Sequence, residues 1–173
     1  SPLVLADLGT ALPEMEFWFG VRQADLPRLD RCVAAHFLPG RRRTMIDRGR
    51  LNGMLRGFVD LVFEHDGRYY VADYKSNWLG PDDTAYHAEA IADAMLAHRY
   101  ELQAAIYLLA LHRLLKARLG EHYDYDQHVG GALLFFLRGR EAPGRGVQVL
   151  RPSAAVIEQL DDLFEGREHE VEA

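Results

Sequence analysis

The sequence has 173 residues, of which 49% are hydrophobic and 27% charged, and this balance predicts one globular domain over residues 1–173. The formal net charge of −6 excludes a surface coated in basic residues, although a local cationic patch stays compatible with nucleic-acid binding. A single cysteine, Cys32, excludes an internal disulfide, a four-cysteine zinc site and an iron–sulfur cluster, and it favours a reduced, cytoplasmic setting.

The N-terminal half of the chain is predicted to contain three strands and one helix. The segment PEMEFWFGV alternates polar and apolar residues with the period of two that is typical of a strand. ADLPRLDRCVAAHF predicts a short helix, and the arginine-rich stretch GRRRTMIDRGR predicts a loop. Two strand-like runs, LNGMLRGFVDLVFEH and RYYVADYKSN, flank Asp66-Gly67, which is a strong signal for a β-hairpin.

The C-terminal half is predicted to be mainly helical, with two further strands. A helical pattern runs from Asp83 to about Leu119, and we expect it to break into two helices near His98. HVGGALLFFLRG predicts a buried strand, GVQVLRP a short partner strand, and SAAVIEQLDDLFEG a helix capped by Ser153. This order of elements predicts an α/β domain with a mixed sheet and helices packed against it.

The predicted hairpin brings Asp60, Asp73 and Lys75 together. If Asp66 and Gly67 are the two central residues of the turn, Asp60 faces Asp73 in a non-hydrogen-bonded pair, in which side chains are closest. Lys75 shares a face with Asp73, because side chains two positions apart in a strand point the same way. Two carboxylates directly opposite each other repel, so a proton, a salt bridge or a metal ion must offset their charge.

This cluster has two interpretations. One is a semi-buried ion cluster that serves stability alone, but buried ion pairs are weak stabilisers because desolvation offsets the attraction. The other, which we favour, is a divalent cation held by Asp60, Asp73 and the main-chain carbonyl of Tyr74. Oxygen ligands without cysteine point to Mg²⁺, with Mn²⁺ or Ca²⁺ as substitutes, rather than to zinc. Lys75 would then orient a water molecule or stabilise charge in the transition state.

At this point the motifs resemble those of the PD-(D/E)XK nuclease superfamily and, within it, of the RecB-like branch. The matching motifs, in chain order, are Gly57-x-x-Asp60, Asp73-x-Lys75 and the helix motif Gln103-x-x-x-Tyr107. The resemblance runs from about Glu14 to about Gly166, nearly the whole chain. It implies a restriction-endonuclease-like fold, with the N-terminal helix of the family core absent from this chain.

The resemblance also implies roles for single residues. Asp60 and Asp73 would be metal ligands, joined by the Tyr74 carbonyl, and Lys75 would be the catalytic lysine. Gln103 and Tyr107 are one helical turn apart on one face and would line the site or position DNA, with ordinary packing as the alternative.

An upstream glutamate is part of the family site as well, and two residues compete for this role. Glu14 is our prediction and Glu16 the alternative, since strand alternation puts both on one face; both could also be surface carboxylates. Two features depart from the family pattern. Val59 replaces the proline that is common before Asp60, and the chain starts too late to contain the helix with the family's histidine ligand. His36 falls in the wrong place to replace it. We therefore expect weak metal affinity, and weak or no activity, in this chain alone.

The implied function is Mg²⁺-dependent hydrolysis of DNA by a deoxyribonuclease of the exodeoxyribonuclease V type, an ATP-dependent helicase–nuclease that acts on double-strand ends in recombinational repair. Its implied partners are DNA, helicase domains of the same polypeptide and the RecC and RecD subunits, in the bacterial cytoplasm and away from membranes. No G-x-x-x-x-G-K-[ST] phosphate loop is present, so the motor would lie elsewhere on the parent polypeptide.

Candidate phosphate contacts come from basic residues, for which a solvated surface is the alternative. They are Arg41, Arg42, Arg43 and Arg56. Two rival functions also remain. One is an inactive nuclease fold that serves as a scaffold or binds DNA ends, although a scaffold has no need of Asp60, Asp73 and Lys75. The other is a stand-alone nuclease of the same superfamily, and the lone cysteine disfavours its iron–sulfur branch.

Overall fold

The computed structural model of the protein describes residues 10–167, which form a single sheet with helices packed against it. In chain order the elements are β1 (Thr10–Asp25), α1 (Leu26–His36), β2 (Arg50–His65), β3 (Arg68–Lys75), α2 (Ala88–Ala97), α3 (Tyr100–Leu119), α4 (Tyr125–His128), β4 (Val129–Phe136), β5 (Val147–Leu150) and α5 (Ala154–Phe164). Within these residues, no helix combines the length and the apolar character needed to cross a membrane.

The five strands follow the order β1-β2-β3-β4-β5 across the sheet. Strands β3 and β4 are parallel and the other neighbours are antiparallel, so the predicted mixed, restriction-endonuclease-like sheet is confirmed. Val62 and Val71 belong to the main core with the helices, whereas their neighbours Leu61 and Ala72 belong to a smaller apolar cluster. Adjacent residues thus point to opposite faces, and both faces of the central strands are covered.

The turn between β2 and β3 has the predicted geometry. Asp66 and Gly67 have φ angles of 51° and 75°, and a two-residue type I′ turn requires positive φ at both positions. The pairing runs from His65 opposite Arg68 to Leu61 opposite Ala72, which confirms the predicted register over these pairs. The next position in this register is the one that places Asp60 opposite Asp73.

The predicted break of the long helical segment near His98 is confirmed, since Arg99 adopts a left-handed conformation between α2 and α3. The helices differ from the sequence prediction in three other places. The predicted start at Asp83 is wrong, because Asp83–Ala85 is a single 3₁₀ turn and α2 begins at Ala88. Ser153 holds the N-cap position of α5, but its side chain makes no capping hydrogen bond. The one-turn helix α4 was not predicted.

Candidate active site

Lys75 ends strand β3 beneath the first turns of α3, and three groups surround its ammonium. The ammonium forms an ion pair with the Asp73 carboxylate and donates a hydrogen bond of 2.6 Å to Gln103 Oε1. It also lies 3.8 Å from the centre of the Tyr100 ring, a cation–π contact. Lys75 and Asp73 are only 8% and 7% exposed, so these contacts are made with little competition from water.

Gln103 connects the lysine to Tyr107. Its Nε2 donates to the Tyr107 hydroxyl at 2.8 Å, while its Oε1 accepts from Lys75, so the orientation of the amide is fixed by both partners. Burial, together with the negative charges of Asp73 and Asp60, raises the pKa of Tyr107 to about 12. The phenol therefore stays protonated at neutral pH. Because its oxygen accepts from Gln103, its own proton remains available for donation.

The pairing of β2 with β3 ends at Leu61 and Ala72, and the next residue, Asp60, contacts β3 through its side chain. Asp60 Oδ2 accepts a hydrogen bond of 2.8 Å from the Tyr74 N–H, in place of a further bond of the strand ladder. The N–H and C=O of one residue in a strand point toward the same neighbour. The Tyr74 carbonyl is thus directed to the side where Asp60 lies.

The two aspartates form an electrostatically unfavourable pair. Burial raises the pKa of Asp73, Lys75 acts in the opposite direction, and the neighbouring charge of Asp60 raises this pKa again. With Lys75 included, the formal charges of the three side chains sum to −1, and an excess negative charge in this partly buried group favours binding of a cation.

The donor set fits one divalent ion with hard oxygen ligands. Among residues 10–167, no group of three or more His, Cys, Asp or Glu side chains converges, so the protein offers two carboxylates and the Tyr74 carbonyl. Mg²⁺ is commonly bound by one or two carboxylates, with waters and substrate phosphates completing its shell. A site of this composition is therefore suited to Mg²⁺ and lacks the nitrogen and sulfur ligands that zinc prefers.

The two candidate glutamates, Glu14 and Glu16, have different surroundings in the structure. Glu14 lies between the pairs Pro13–Leu61 and Met15–Val59, and this register places it opposite Asp60. Its φ of 51° interrupts the alternation of β1, which is why strand periodicity could not place it. Glu16 instead forms an ion pair with Arg56 on the exposed face of the sheet. Neither glutamate joins Asp60 and Asp73 in a three-carboxylate group within the described residues.

Gly57, the first residue of the Gly-x-x-Asp motif, has a packing role that reaches the site. A side chain at this position would overlap the ring of Phe17 on the neighbouring strand. Phe17 in turn packs edge-on against Tyr107, with ring centres 5.9 Å apart. The glycine therefore lets Phe17 occupy the place from which it supports the tyrosine of the helix motif.

Two residues of the arginine-rich loop form ion pairs within the protein, one of them buried. Arg43 is not available to DNA in this structure, because its side chain is 2% exposed and it pairs with Glu101. Arg41 is half-buried and pairs with Glu89 and Asp93 of α2. Arg42 is exposed, and so is Arg56, whose guanidinium lies over the rings of Trp18 and Phe58.

Tyr100 is the site residue that sequence reasoning missed. Its ring covers Lys75, and its hydroxyl donates a hydrogen bond of 3.1 Å to Asn77 Oδ1. Spacing offered a signal, because Tyr100 precedes Gln103 by three residues and helical residues three apart share a face. Only the packing of α3 over β3 makes this face the one that contacts Lys75.

The mixed sheet, the two adjacent aspartates and the lysine define the PD-(D/E)XK nucleases, and the chain belongs to this superfamily, whose sequence profile matches residues 11–173. Members of the superfamily generally use divalent metal ions.

More particular relatives are RecB proteins, which confirms the predicted RecB-like branch. The chain is 53% identical over 119 residues to "RecBCD enzyme subunit RecB" of Escherichia coli K12, covering 68% of this chain and 10% of that protein. The Haemophilus influenzae Rd protein of the same name is 40% identical over 167 residues, covering 94% of the chain and 14% of the relative. The Mycolicibacterium smegmatis one is 42% identical over 128 residues, covering 66% and 12%. The matched regions thus span 10% to 14% of these relatives.

Proposed function

We propose that this chain hydrolyses phosphodiester bonds in DNA with Mg²⁺ as its cofactor. The observation that carries the proposal is the environment of Lys75, a buried ammonium held by Asp73, Gln103 and the Tyr100 ring beside a second carboxylate, Asp60. A stability role does not account for the excess negative charge of this group, because an apolar core would be as stable.

The residues that would hold the ion are Asp60, Asp73 and the carbonyl of Tyr74. Bound there, Mg²⁺ would offset the charge of the scissile phosphate and make the attacking water more acidic. Asp60 is kept in place by the Tyr74 N–H, and Asp73 by Lys75, so both carboxylates are oriented before any ligand arrives. Glu14, opposite Asp60 in the strand register, is our candidate for a further carboxylate in the site.

Lys75 has the charge and the position to act on the reacting groups. Its ammonium stabilises negative charge on the phosphate as the bond to water forms, a contribution that is large in a site shielded from solvent. Gln103 holds the ammonium through Oε1, and Tyr107 holds Gln103. The free proton of the Tyr107 hydroxyl can be donated to a phosphate oxygen.

At the level of the parent protein, we propose a nuclease module in a helicase–nuclease of the RecBCD type. The similarity to RecB subunits over most of this chain supports this proposal. The assembly would contain RecC and RecD and would use ATP to unwind double-strand DNA ends while this module cuts the released strands. Cleavage would then depend on delivery of DNA by neighbouring domains, in line with the net charge of −6.

Cleavage of linear DNA by the assembled helicase–nuclease tests the proposal. We expect Lys75→Ala and Asp73→Ala to lower the cleavage rate by about 10²–10³-fold or more, the range for loss of one group that stabilises transition-state charge. Lys116→Ala, at the chain's other lysine, is the matched control, because Lys116 lies exposed near the far end of α3. It should cleave at the rate of the unmodified protein. Undiminished cleavage by both site variants would instead favour the scaffold function.

A further inference from the structure

An open cleft lies beside the proposed site, where the chain leaves strands β3 and β4. Its volume is about 550 Å³, and we call it the Trp78 cleft; its walls include Trp78, Tyr86, Leu137, Arg138 and Arg140. Strands β3 and β4 are parallel, and Lys75 is paired with Phe136. Both wall segments therefore leave the sheet at the C-terminal ends of β3 and β4, where Lys75 lies.

The backbone between Lys75 and this cleft is held by hydrogen bonds. Arg138 Nε donates to the carbonyl of Ser76 at 3.0 Å and joins the two wall segments. Asn77 is held twice, because its Oδ1 accepts from the Tyr100 hydroxyl and its carbonyl accepts from the Tyr86 hydroxyl, each at 3.1 Å. The indole that follows thus projects from a fixed backbone, and this backbone is tied to the tyrosine that covers the lysine.

The side chains of the cleft combine exposed apolar surface with two arginines and two aspartates. Trp78 is 67% exposed and Leu137 is 50% exposed, so neither contributes much to the core. Arg138 and Arg140 are exposed in the same cleft. The aspartates are Asp82, which accepts hydrogen bonds from the N–H and the hydroxyl of Thr84, and Asp83. Arg140 also pairs with the exposed Glu141 at 3.3 Å, but exposed ion pairs are weak and leave a guanidinium able to contact a phosphate. An exposed indole beside arginines is the combination with which proteins bind single-stranded nucleic acid.

We infer that the Trp78 cleft binds an unpaired nucleotide of the DNA substrate, with its base stacked on Trp78 and its phosphate contacted by Arg138 and Arg140. The strand continues from there to the phosphate at Lys75. A base inside a duplex has no free face, so this contact selects single-stranded DNA next to the scissile bond. The inference rests on the proposed function, because it assigns part of the substrate of that same site.

Tryptophan fluorescence tests the stacking directly, because the chain contains only two tryptophans, Trp18 and Trp78. In the Trp18→Phe variant of the full chain, we expect oligo(dT) to quench the emission of Trp78 in the presence of EDTA, which prevents cleavage. The Trp78→Phe variant is the matched control, in which emission comes from Trp18 alone and should change little. Quenching of Trp18 with none at Trp78 would overturn the inference.

An abasic DNA strand distinguishes the contribution of base stacking from that of phosphate charge, because it keeps the phosphates and lacks the bases. Trp78→Ala should weaken binding of oligo(dT) by about tenfold, within the range for loss of one base–aromatic stack. It should leave the binding of an abasic strand of the same length unchanged. Equal losses for both strands would contradict stacking, and equal thermal unfolding curves would exclude a folding defect.

The arginines are tested by salt dependence. Arg140→Gln should reduce the slope of log affinity against log salt by about 0.7, the contribution of one phosphate contact on a single strand. Arg145→Gln is the matched control, since Arg145 is exposed in the same loop but does not line the cleft. An unchanged slope for Arg140→Gln would count against the phosphate contact.

Failure of this inference can be told from failure of the proposed function. Lys75→Ala should retain quenching of Trp78 but lose cleavage. Cleavage by the unmodified protein without quenching at Trp78 would overturn the cleft assignment and leave the nuclease function in place. Quenching without any Mg²⁺-dependent cleavage by the assembled protein would support the cleft and overturn the nuclease.

Discussion

Two charged clusters flank the start of α3, and their difference separates a structural from a functional use of buried charge. The Arg99 cluster consists of Asp30, Arg43, Arg99 and Glu101. The Lys75 cluster consists of Asp60, Asp73, Lys75, Gln103 and Tyr107. The first has two positive and two negative charges, whereas the second has two negative charges and one positive.

The Arg99 cluster is balanced and holds elements together. Arg99 donates to Asp30 and Glu101 at 2.6 Å each, and to the carbonyl of Thr44 at 2.8 Å. Burial lowers the pKa of Arg99, but the hydrogen bonds and charges of the two carboxylates outweigh this effect and raise it above its ordinary value. These hydrogen bonds therefore link α1 and the arginine-rich loop to the first turn of α3. The same turn contains Tyr100 and Gln103.

The Lys75 cluster is unbalanced in the absence of a ligand. The pKa of Asp73 is raised by burial and by Asp60, so its ionised form is disfavoured where it stands. A bound cation would stabilise the ionised form of Asp73 in this position. Net charge and the direction of the pKa shift, rather than burial alone, therefore distinguish a proposed metal site from an internal ion-pair network.

Removing Glu101 from the Arg99 cluster should give the largest loss of stability. Glu101→Ala leaves the buried side chains of Arg43 and Arg99 without a shared partner and should lower the free energy of unfolding by about 3–5 kcal/mol. Urea denaturation measures this loss. Glu89→Ala, at an exposed ion pair with Arg41, is the control and should change stability by less than about 1 kcal/mol. Similar small losses in both variants would contradict a structural role for the Arg99 cluster.

Binding of a metal ion tests the role of the Lys75 cluster. Mn²⁺ at a hundred times its dissociation constant should stabilise the chain by about 2.7 kcal/mol, because it binds the folded state alone. A thermal melt with and without the ion measures this gain. Asp60→Asn and Asp73→Asn should lose most of it, and Glu89→Gln, which also removes one carboxylate but on the exposed surface, should keep it. A gain that survives both aspartate variants would place the ion elsewhere.

The Tyr100 ring is a positioning group for Lys75, and its effect is smaller. Tyr100→Leu removes the cation–π contact, worth about 0.5–2 kcal/mol, so we expect cleavage to slow by roughly 2- to 30-fold. Tyr100→Phe keeps the ring and should restore most of the rate, although it loses the bond to Asn77. Equal rates for the leucine and phenylalanine variants would argue against the ring contact.

The smallest effect is a pH dependence of stability without metal. The folded state raises the pKa of Asp73 above 3.8, so protonated Asp73 stabilises the fold at low pH and this contribution is lost as pH rises through the raised pKa. The stability of Asp73→Asn relative to the unmodified chain should therefore increase between pH 4 and pH 7, by up to about 1 kcal/mol for relief of a like-charge pair. Denaturation midpoints at several pH values measure it. If the difference in stability between the two proteins stays constant with pH, the pKa of Asp73 is not raised in the folded state.

Much of the fold could be predicted because local signals were strong. The Asp66-Gly67 turn determines the register of β2 and β3, and this register brings Asp60, Asp73 and Lys75 together. Gln103 and Tyr107 were placed in the site through the resemblance of their helix motif to that of the family. The loop before α2 was harder to predict, because the Asp82 cap on Thr84 supports a 3₁₀ turn that composition does not distinguish from a helix start.

The parts that could not be predicted depend on long-range packing. The left-handed conformation of Glu14 breaks a periodicity that otherwise puts Glu14 and Glu16 on one face. The burial of Arg43 depends on Glu101, which is 58 residues away in the chain, so a run of arginines that is typical of a cationic surface is partly internal. The placement of Tyr100 over Lys75 likewise needs the crossing of α3 and β3.

The central claim is that Asp60, Asp73 and the Tyr74 carbonyl form one metal site beside Lys75. The most direct test is a crystal of the chain soaked in Mn²⁺, with the ion located by its anomalous scattering. We predict a single peak within about 2.0–2.6 Å of both carboxylates and of the Tyr74 carbonyl oxygen, the range of metal–oxygen distances for hard divalent cations. A crystal that binds Mn²⁺ at other carboxylates, with no ion between Asp60 and Asp73, would contradict the account.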